Sequence, residues 1–416
     1  MESERKFDFN SNGLSSKRKS WMDWGYSSIC TNCDFFYDMK DFLVRWLDNV
    51  VCEQRSNGEI LDYTPAPKDF YKSLEFTGSL SSAGWGDAIV MVPWELYKKY
   101  NDQSILKRYY KAMIKWHNFS KKSAQGEKTG HKKYIWDTKF HYGDWMFPSF
   151  MIGKEASGAM STSEATKDLV ATAFLANTSY LLAKISNILG KDSSIFYDYF
   201  EKVKEAFQIE FMNGKGELTK HFQGCYVLAL AFNLVDDKER VSKKLGEMIE
   251  NNDYCLDTGF LSVPYLLDTL CDNGYQNLAM ELFFQRKCPS WLYEIDNGAT
   301  TIWESWAAIQ PSGKVTKNSF NHYAFGCVGD WIVRRIGGLQ LKEPGYKEFY
   351  VRPLKQERIE RYQLKYETLF GQIEIEKTVE FLKVVVPKNT RAYVDYNGMK
   401  KELSTGTYLF TLEFTL

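Results

Sequence analysis

Four short stretches hold residues whose types and spacing could do chemistry. GATTIWESW (298–306) sets one carboxylate, Glu304, between Trp303 and Trp306. SAGWGDAIVMVPW places Trp85 and Asp87 at the start of a helix, and FHYGDWMFP repeats the Gly-Asp pattern with Asp144 and Trp145. SFNHYAFG supplies His322 near the start of the last long helix. Sugar rings present flat C–H faces that pack on indoles, and their hydroxyls pair with carboxylates. Loops rich in Trp, Asp and Glu therefore suggest a carbohydrate cleft. Each residue also has a plainer reading. Glu304 would hydrogen-bond a loop, His322 would be a satisfied core residue, and the tryptophans would be packing. Asp87 and Asp144 either cap or order loops at helix N-termini, a common job for Asp, or touch the sugar.

The elements that position these residues are mainly helical up to about residue 335. FYDMKDFLVRWLDNVV (36–51) has apolar residues at helical spacing. AIVMVPWELYKKYND and QSILKRYYKAMIKWHNFSKK form an antiparallel pair around Asn101-Asp102, a turn and cap signal. Residues 166–190 form a long amphipathic helix ended by Gly190, and SSIFYDYFEKVKEAFQIEFMN follows at once. CYVLALAFNLV pairs with KERVSKKLGEMIENN across Asp236-Asp237, and VPYLLDTLCDNG pairs with YQNLAMELFFQ. FNHYAFGCVGDWIVRRIGG closes the series. Short turns lie on one side. The longer connections (52–84, 120–164, 251–260 and 287–318) are rich in Gly, Trp and Asp. Helical hairpins closing into an (α/α)6 toroid, with the long loops at one mouth, are the expected arrangement. Ten or eleven helices are legible where six hairpins need twelve, and the shortfall lies at the N-terminus. After Gly337-Gly338 the pattern alternates with period two. Residues 1–337 therefore read as a mainly α domain and 338–416 as a small antiparallel β-sandwich.

Composition narrows the function classes. The chain has 416 residues, enough for a large core and two domains. Lysine plus arginine equals aspartate plus glutamate at 53 each, which argues against a nucleic-acid binder that neutralises phosphates. No run of about eighteen apolar residues is apparent, so no membrane span is expected, and the polar start MESERKFDFNSNG lacks a signal peptide's apolar run. Cys30 and Cys33 form a lone CxxC with no second pair at zinc spacing, so they read as reduced helix cysteines in a reducing compartment, the cytoplasm.

The four stretches occur in this order ahead of a β-sandwich, together with DTGF then PYLL (257–267) and PSWLYEIDNGATTIWESW (289–306). In this the chain resembles the bacterial α-L-rhamnosidases of glycoside hydrolase family 78, from about residue 14 onward. The resemblance implies a six-hairpin catalytic domain with a C-terminal β-sandwich. It also implies a rhamnoside as the carbohydrate partner, hydrolysis of terminal α-L-rhamnosyl bonds with inversion, and no organic cofactor or metal. Inversion needs an acid to protonate the leaving oxygen and a base to activate water, roughly 6.5–9.5 Å apart. The family's TTIWE glutamate is the base, so Glu304 takes that role by resemblance. His322 matches the histidine that hydrogen-bonds the sugar. Trp85 and Trp145 match aromatic residues of the rhamnose pocket, and Trp303, Asp87 and Asp144 are carried with them.

The chain departs from the family where the acid should be. The family's Cys-Pro-Gln-Arg-Asp-Glu-Arg motif has its nearest counterpart in NGLSSKRKSWMDWGYSS (12–28). Laid on through Trp21, a pocket residue by resemblance, Arg18 matches the arginine after the acid and the acid falls on Lys17. A lysine, with a reference pKa near 10.4, is no matched proton donor. Asp23 is then the substitute acid in reach. Two explanations compete: a chain that starts at an internal methionine, and a complete enzyme with its acid supplied differently. A toroid short of one helix would expose inner apolar surface, so association, including with a second copy, is expected. A sugar-binding relative that has lost the acid is the alternative function. A six-hairpin hydrolase of another deoxy-sugar or a uronate is a third. The four stretches hold no arginine to clamp a uronate carboxylate.

Overall fold

The computed structural model describes residues 35, 37–66, 80–153 and 158–412. Lys17, Arg18, Trp21, Asp23, Cys30 and Cys33 lie outside the described residues. The helical part comprises α1 (Lys40–Glu53), α2 (Ala88–Tyr100), α3 (Gln103–Gln125), α4 (Gly158–Ile188), α5 (Ser194–Phe211), α6 (Gln223–Ala231), α7 (Lys238–Asn251), α8 (Val263–Asp272), α9 (Gln276–Phe283) and the short α10 (Trp291–Asp296).

Local chemistry makes the tight turns. Asn101 ends α2 in the left-handed region, and the Asp102 carboxylate accepts the Ser104 amide at 2.9 Å to start α3. Asp237 does the same for α7 through the Arg240 amide at 3.0 Å. Gly190 turns the chain after α4, whose Ser186 carbonyl accepts the Lys191 amide at 2.8 Å.

Burial separates inner from outer helices. Every residue from Leu169 to Ser179 of α4 is buried, as are eight residues in a row on α6, Gln223 to Leu230. Helix α7 instead buries one stripe: Val241, Ser242, Leu245, Gly246 and Ile249. Helices α4, α6, α8 and the final helix touch in series, while α5, α7 and α9 each pack on their own partner. This alternation is what stacked helical hairpins produce. The 31-residue α4 is the one described helix long and apolar enough to cross a membrane, a property not foreseen from the sequence. Its apolar window is 89% buried inside the protein, so it serves as a core helix.

The last helix is not continuous. Ala324–Cys327 is a 3-10 turn, Val328–Trp331 is α-helical, and Ile332–Ile336 is a π-turn closed by Gly337 N–H donating to the Ile332 carbonyl at 2.8 Å. Arg334 fixes this segment by reaching Asp268 on α8 at 3.0 Å and Asp330 one turn back at 2.8 Å. His322 therefore precedes the helix, in irregular chain.

From Leu339 the chain is β. One sheet has the order β1 (Leu339–Leu341), β2 (Glu348–Val351), β6 (Arg391–Tyr396), β7 (Met399–Leu403). The other has β3 (Tyr362–Thr368), β4 (Gly371–Lys377), β5 (Phe381–Val386), β8 (Gly406–Thr411). Alternate residues such as Phe349, Val351, Ile373, Ile375, Leu382 and Val384 form the core between them. One pairing departs from the expected antiparallel pattern: β2 and β6 run parallel, Glu348 opposite Arg391. The chain leaves β2 to build three strands of the other sheet and returns as β6, a crossover that permits a parallel neighbour.

Candidate active site

Glu304 and His322 sit on two stretches of chain that pair antiparallel. The Glu304 amide donates to the Ser319 carbonyl at 2.9 Å, and the His322 amide donates to the Ile302 carbonyl at 2.8 Å. The Ser319 amide also donates to Glu304 Oε2 at 2.7 Å, which fixes the carboxylate. The flanking tryptophans are core. Trp303 is 2% exposed and meets Phe320 edge-on, and Trp306 is 1% exposed and stacks on Phe325 with centroids 4.0 Å apart. Between them Glu304 alone is only half-buried. That partial burial raises its carboxyl above the ordinary carboxylate range, against the Ser319 amide, which lowers it.

The His322 imidazole stacks on Phe260, centroids 5.1 Å apart and planes at 21°. Burial pushes its pKa down to about 4, so the ring is neutral at pH 7. Its Nδ1 accepts the Ala324 amide at 3.3 Å. The network thus assigns the proton to Nε2, a hydrogen-bond donor.

Phe260 is placed in turn by Asp144. The Phe260 amide donates to the Trp145 carbonyl at 2.9 Å. Asp144 is fully buried and accepts the amides of Gly259 (3.0 Å), Leu261 (2.9 Å) and Ser262 (3.0 Å) as well as the Ser262 hydroxyl. Burial pushes this carboxyl up to about 6 despite its donors, so it is ionised at pH 7. The fit requires Gly259, where a Cβ would lie 2.3 Å from the carbonyl oxygens of Asp144 and Trp145.

Asp87 is equally enclosed. Its carboxylate accepts the Gly84 amide at 2.8 Å, the Trp116 indole N–H at 2.9 Å and the Thr178 hydroxyl. It stands at the N-cap of α2 but makes no side-chain bond to that helix's amides. It orders its own loop and ties that loop to α3 and α4. Both aspartates are thus turned into the protein.

The Gly-Trp-Gly-Asp loop is stitched to the next one. The Ala83 amide donates to His141 Nδ1 at 3.0 Å, and the Tyr142 amide donates to Ser82 Oγ at 3.1 Å. Trp85 packs on Tyr142 at 4.6 Å, and Tyr142 meets Trp145 edge-on at 5.3 Å. Trp85 is buried, with no hydrogen-bond partner for its indole N–H among the described residues, and Trp145 is half-buried. A continuous path of contacts therefore runs Trp85, Tyr142, Trp145, Phe260, His322, Ile302, and so to Glu304.

Tyr142 and Phe260 were not singled out from the sequence, although both fall inside quoted motifs, FHYGDWMFP and DTGF. Glu294 was given no role at all. It is a further buried carboxyl, on the short helix α10 ahead of Glu304, and its Oε2 accepts the Trp303 amide at 3.2 Å. Among the described residues no group of three or more His, Cys, Asp or Glu is placed to hold a metal ion.

The bacterial alpha-L-rhamnosidase six-hairpin glycosidase domain matches residues 18–336, and the bacterial alpha-L-rhamnosidase C-terminal domain matches 338–408. An alpha-L-rhamnosidase of Streptomyces avermitilis is 34% identical over 364 residues, 85% of this chain and 32% of that protein. The chain thus spans about a third of the length of this curated relative. A crystal structure of a Streptomyces avermitilis alpha-L-rhamnosidase complexed with L-rhamnose superposes with a TM-score of 0.84 at 30% identity, over 95% of this chain and 38% of that one. The native enzyme of Aspergillus terreus gives 0.84 at 28% identity, over 95% and 46%. The chain belongs to the bacterial α-L-rhamnosidase family, with a six-hairpin glycosidase domain of helices followed by the family's C-terminal domain.

Proposed function

We propose that this chain removes terminal α-L-rhamnose from rhamnosides by inversion, with Glu304 as the general base. The observation that carries the reading is the placement of Glu304. It is half-buried, fixed by one backbone amide and raised in pKa, and it is paired through the main chain with a neutral His322. A base whose pKa is raised toward the working pH abstracts a proton more effectively than an ordinary carboxylate. In this reading Glu304 orients and deprotonates the attacking water. The Nε2–H of His322 donates to a sugar hydroxyl, and the half-buried Tyr142 and Trp145 offer flat ring faces on which a deoxy-sugar packs, with the buried Trp85 backing Tyr142 and not itself facing the sugar. The rhamnose bound by the Streptomyces relative is the sugar this cleft is expected to take.

The other carboxyl of an inverting pair falls to Asp23 in this reading, because Lys17 occupies the matched position. That same lysine supports the second reading, a rhamnose-binding relative with little turnover. An aryl α-L-rhamnoside with a good leaving group needs little protonation, and a natural rhamnoside needs much. Rapid hydrolysis of the first, slow hydrolysis of the second and loss of the first in Glu304→Gln are expected. Full activity of Glu304→Gln would remove the base assignment. Absence of turnover on both substrates, with L-rhamnose still raising the melting temperature, would establish the binding relative instead.

A further inference from the structure

Glu294 lies on α10, the six-residue helix capped by Ser290, whose Oγ accepts the Tyr293 amide at 3.0 Å. The side chain is 1% exposed. One oxygen, Oε2, accepts the Trp303 amide at 3.2 Å, and the other, Oε1, is buried with no hydrogen-bond partner among the described residues. The main chain at Glu294 is engaged as well, its carbonyl accepting the amides of Asn297 and Ala299. So one residue ties the end of α10 to the amide immediately before Glu304. The titratable group beside it is Cys288, from the segment ahead of α10. Its thiol is itself pushed up to about 12 by burial, so it stays neutral. Among the described residues no cation contributes to the Glu294 environment.

A carboxylate with one hydrogen bond and no counter-charge in a dry pocket is costly, whereas a carboxylic acid there is not. Burial accordingly raises the Glu294 pKa to about 8. An apolar residue would remove the orphaned Oε1 but would leave the buried Trp303 amide without the acceptor it has here. Its distinctive contribution is a hydrogen bond to the one amide that leads into Glu304.

We propose that Glu294 is a positioning residue for Glu304, a neutral carboxylic acid that clamps the Trp303 amide and whose deprotonation loosens the segment carrying the base. Deprotonation by itself strengthens the bond from the Trp303 amide, since a carboxylate is the better acceptor. The loosening comes instead from the hydration that an uncompensated buried charge demands, which opens the pocket and shifts the 302–304 segment with it. The base thus acquires an alkaline limit from a residue that never touches substrate. The inference rests on the base role proposed for Glu304, but the clamp itself has a readout that needs no turnover.

Carbonyl-13C isoleucine combined with 15N tryptophan selects the Ile-Trp peptide pairs, of which the chain has two, Ile135-Trp136 and Ile302-Trp303. The Trp136 amide donates to Thr172 Oγ1 at 2.9 Å and serves as the internal control. In the full chain the Trp303 amide shift should titrate with a midpoint near pH 8 while Trp136 stays flat, and Glu294→Gln should abolish the titration. On an aryl α-L-rhamnoside, kcat should fall through the same midpoint. Glu294→Gln should move that limb upward by at least one pH unit, and Glu294→Leu should lower kcat about tenfold on the plateau below pH 8, with a smaller change in KM. A Trp303 amide that does not titrate, or titrates equally in Glu294→Gln, overturns the clamp. A pH–kcat profile of Glu294→Gln that superimposes on wild type overturns the positioning role. If Glu304→Gln keeps full activity, the proposed function fails on its own, and the amide titration still decides the clamp.

Discussion

The imidazole of His322 rests on the ring of Phe260, 5.1 Å between centroids, and the Phe260 amide is held by the carbonyl of Trp145. The histidine is therefore aimed by a loop remote from it in sequence. A stacked aromatic pair contributes about 0.5–1.5 kcal/mol beyond its buried area. Phe260→Leu should weaken L-rhamnose binding by about 2- to 12-fold in a calorimetric titration while the protein stays folded. Unaltered affinity in a folded variant would show that His322 keeps its place without the stack.

The raised pKa of Glu304 gives the acid side of the pH profile a definite sign. In the proposed role of base Glu304 must be ionised, so kcat/KM is expected to fall as pH drops through its pKa, and burial raises that pKa above the ordinary carboxylate range. The acid limb on an aryl rhamnoside should lie above pH ~4.5, close to the reference value for Glu, and should disappear with the activity in Glu304→Gln. A limb below pH 4 would mean that the titrating group is some other residue.

Asp144 satisfies three amides and a hydroxyl in the loop that carries Phe260. Truncation strands several buried donors, each costing about 1–3 kcal/mol. Asp144→Ala should lose at least ~3 kcal/mol in urea unfolding, and Asp144→Asn, which keeps one acceptor, should lose less. If both variants unfold within ~1 kcal/mol of wild type, the loop orders itself without the carboxylate.

His117 is buried against Phe196 and Tyr199, with Nε2 2.9 Å from Ser179 Oγ, and burial depresses its pKa to about 3. Above pH 6.5 the ring is neutral in both folded and unfolded chains. Below that the unfolded chain binds a proton that the folded chain refuses until about pH 3, so stability falls with pH at up to about 1.4 kcal/mol per unit. His117→Gln lacks this loss. Its cost relative to wild type at pH 7 should shrink by about 2 kcal/mol at pH 5. A cost that does not vary with pH would show that His117 titrates normally.

Much of the fold was legible because its punctuation is local. Asn101-Asp102 and Asp236-Asp237 each act within four residues, through a left-handed cap or a carboxylate on a helix amide, and period-two alternation marks the strands. The missed features depend on distant partners. Nothing within 319–337 announces a π-turn, which is secured by Arg334 reaching Asp268 on another helix. The parallel β2–β6 pair depends on three strands built elsewhere in between. At the site, motif positions pointed to Glu304 and His322, but the pairing of 302–304 with 319–322 is tertiary. Glu294 looked like any acid in WLYEIDNG, because burial, not identity, gives it its chemistry. Asp87 and Asp144 were left between two roles for the same reason, since only their donors show which way they face.

Glu304 is held by the amide of Ser319, not by the Ser319 side chain. The aim of this carboxylate is therefore written into the path of the main chain. Nearly any amino acid at position 319 preserves the donor, and proline alone deletes it. A change of side chain at position 319 thus leaves the donor to Glu304 in place wherever the main-chain path is kept, even though the Ser319 hydroxyl itself bonds the Asn321 backbone.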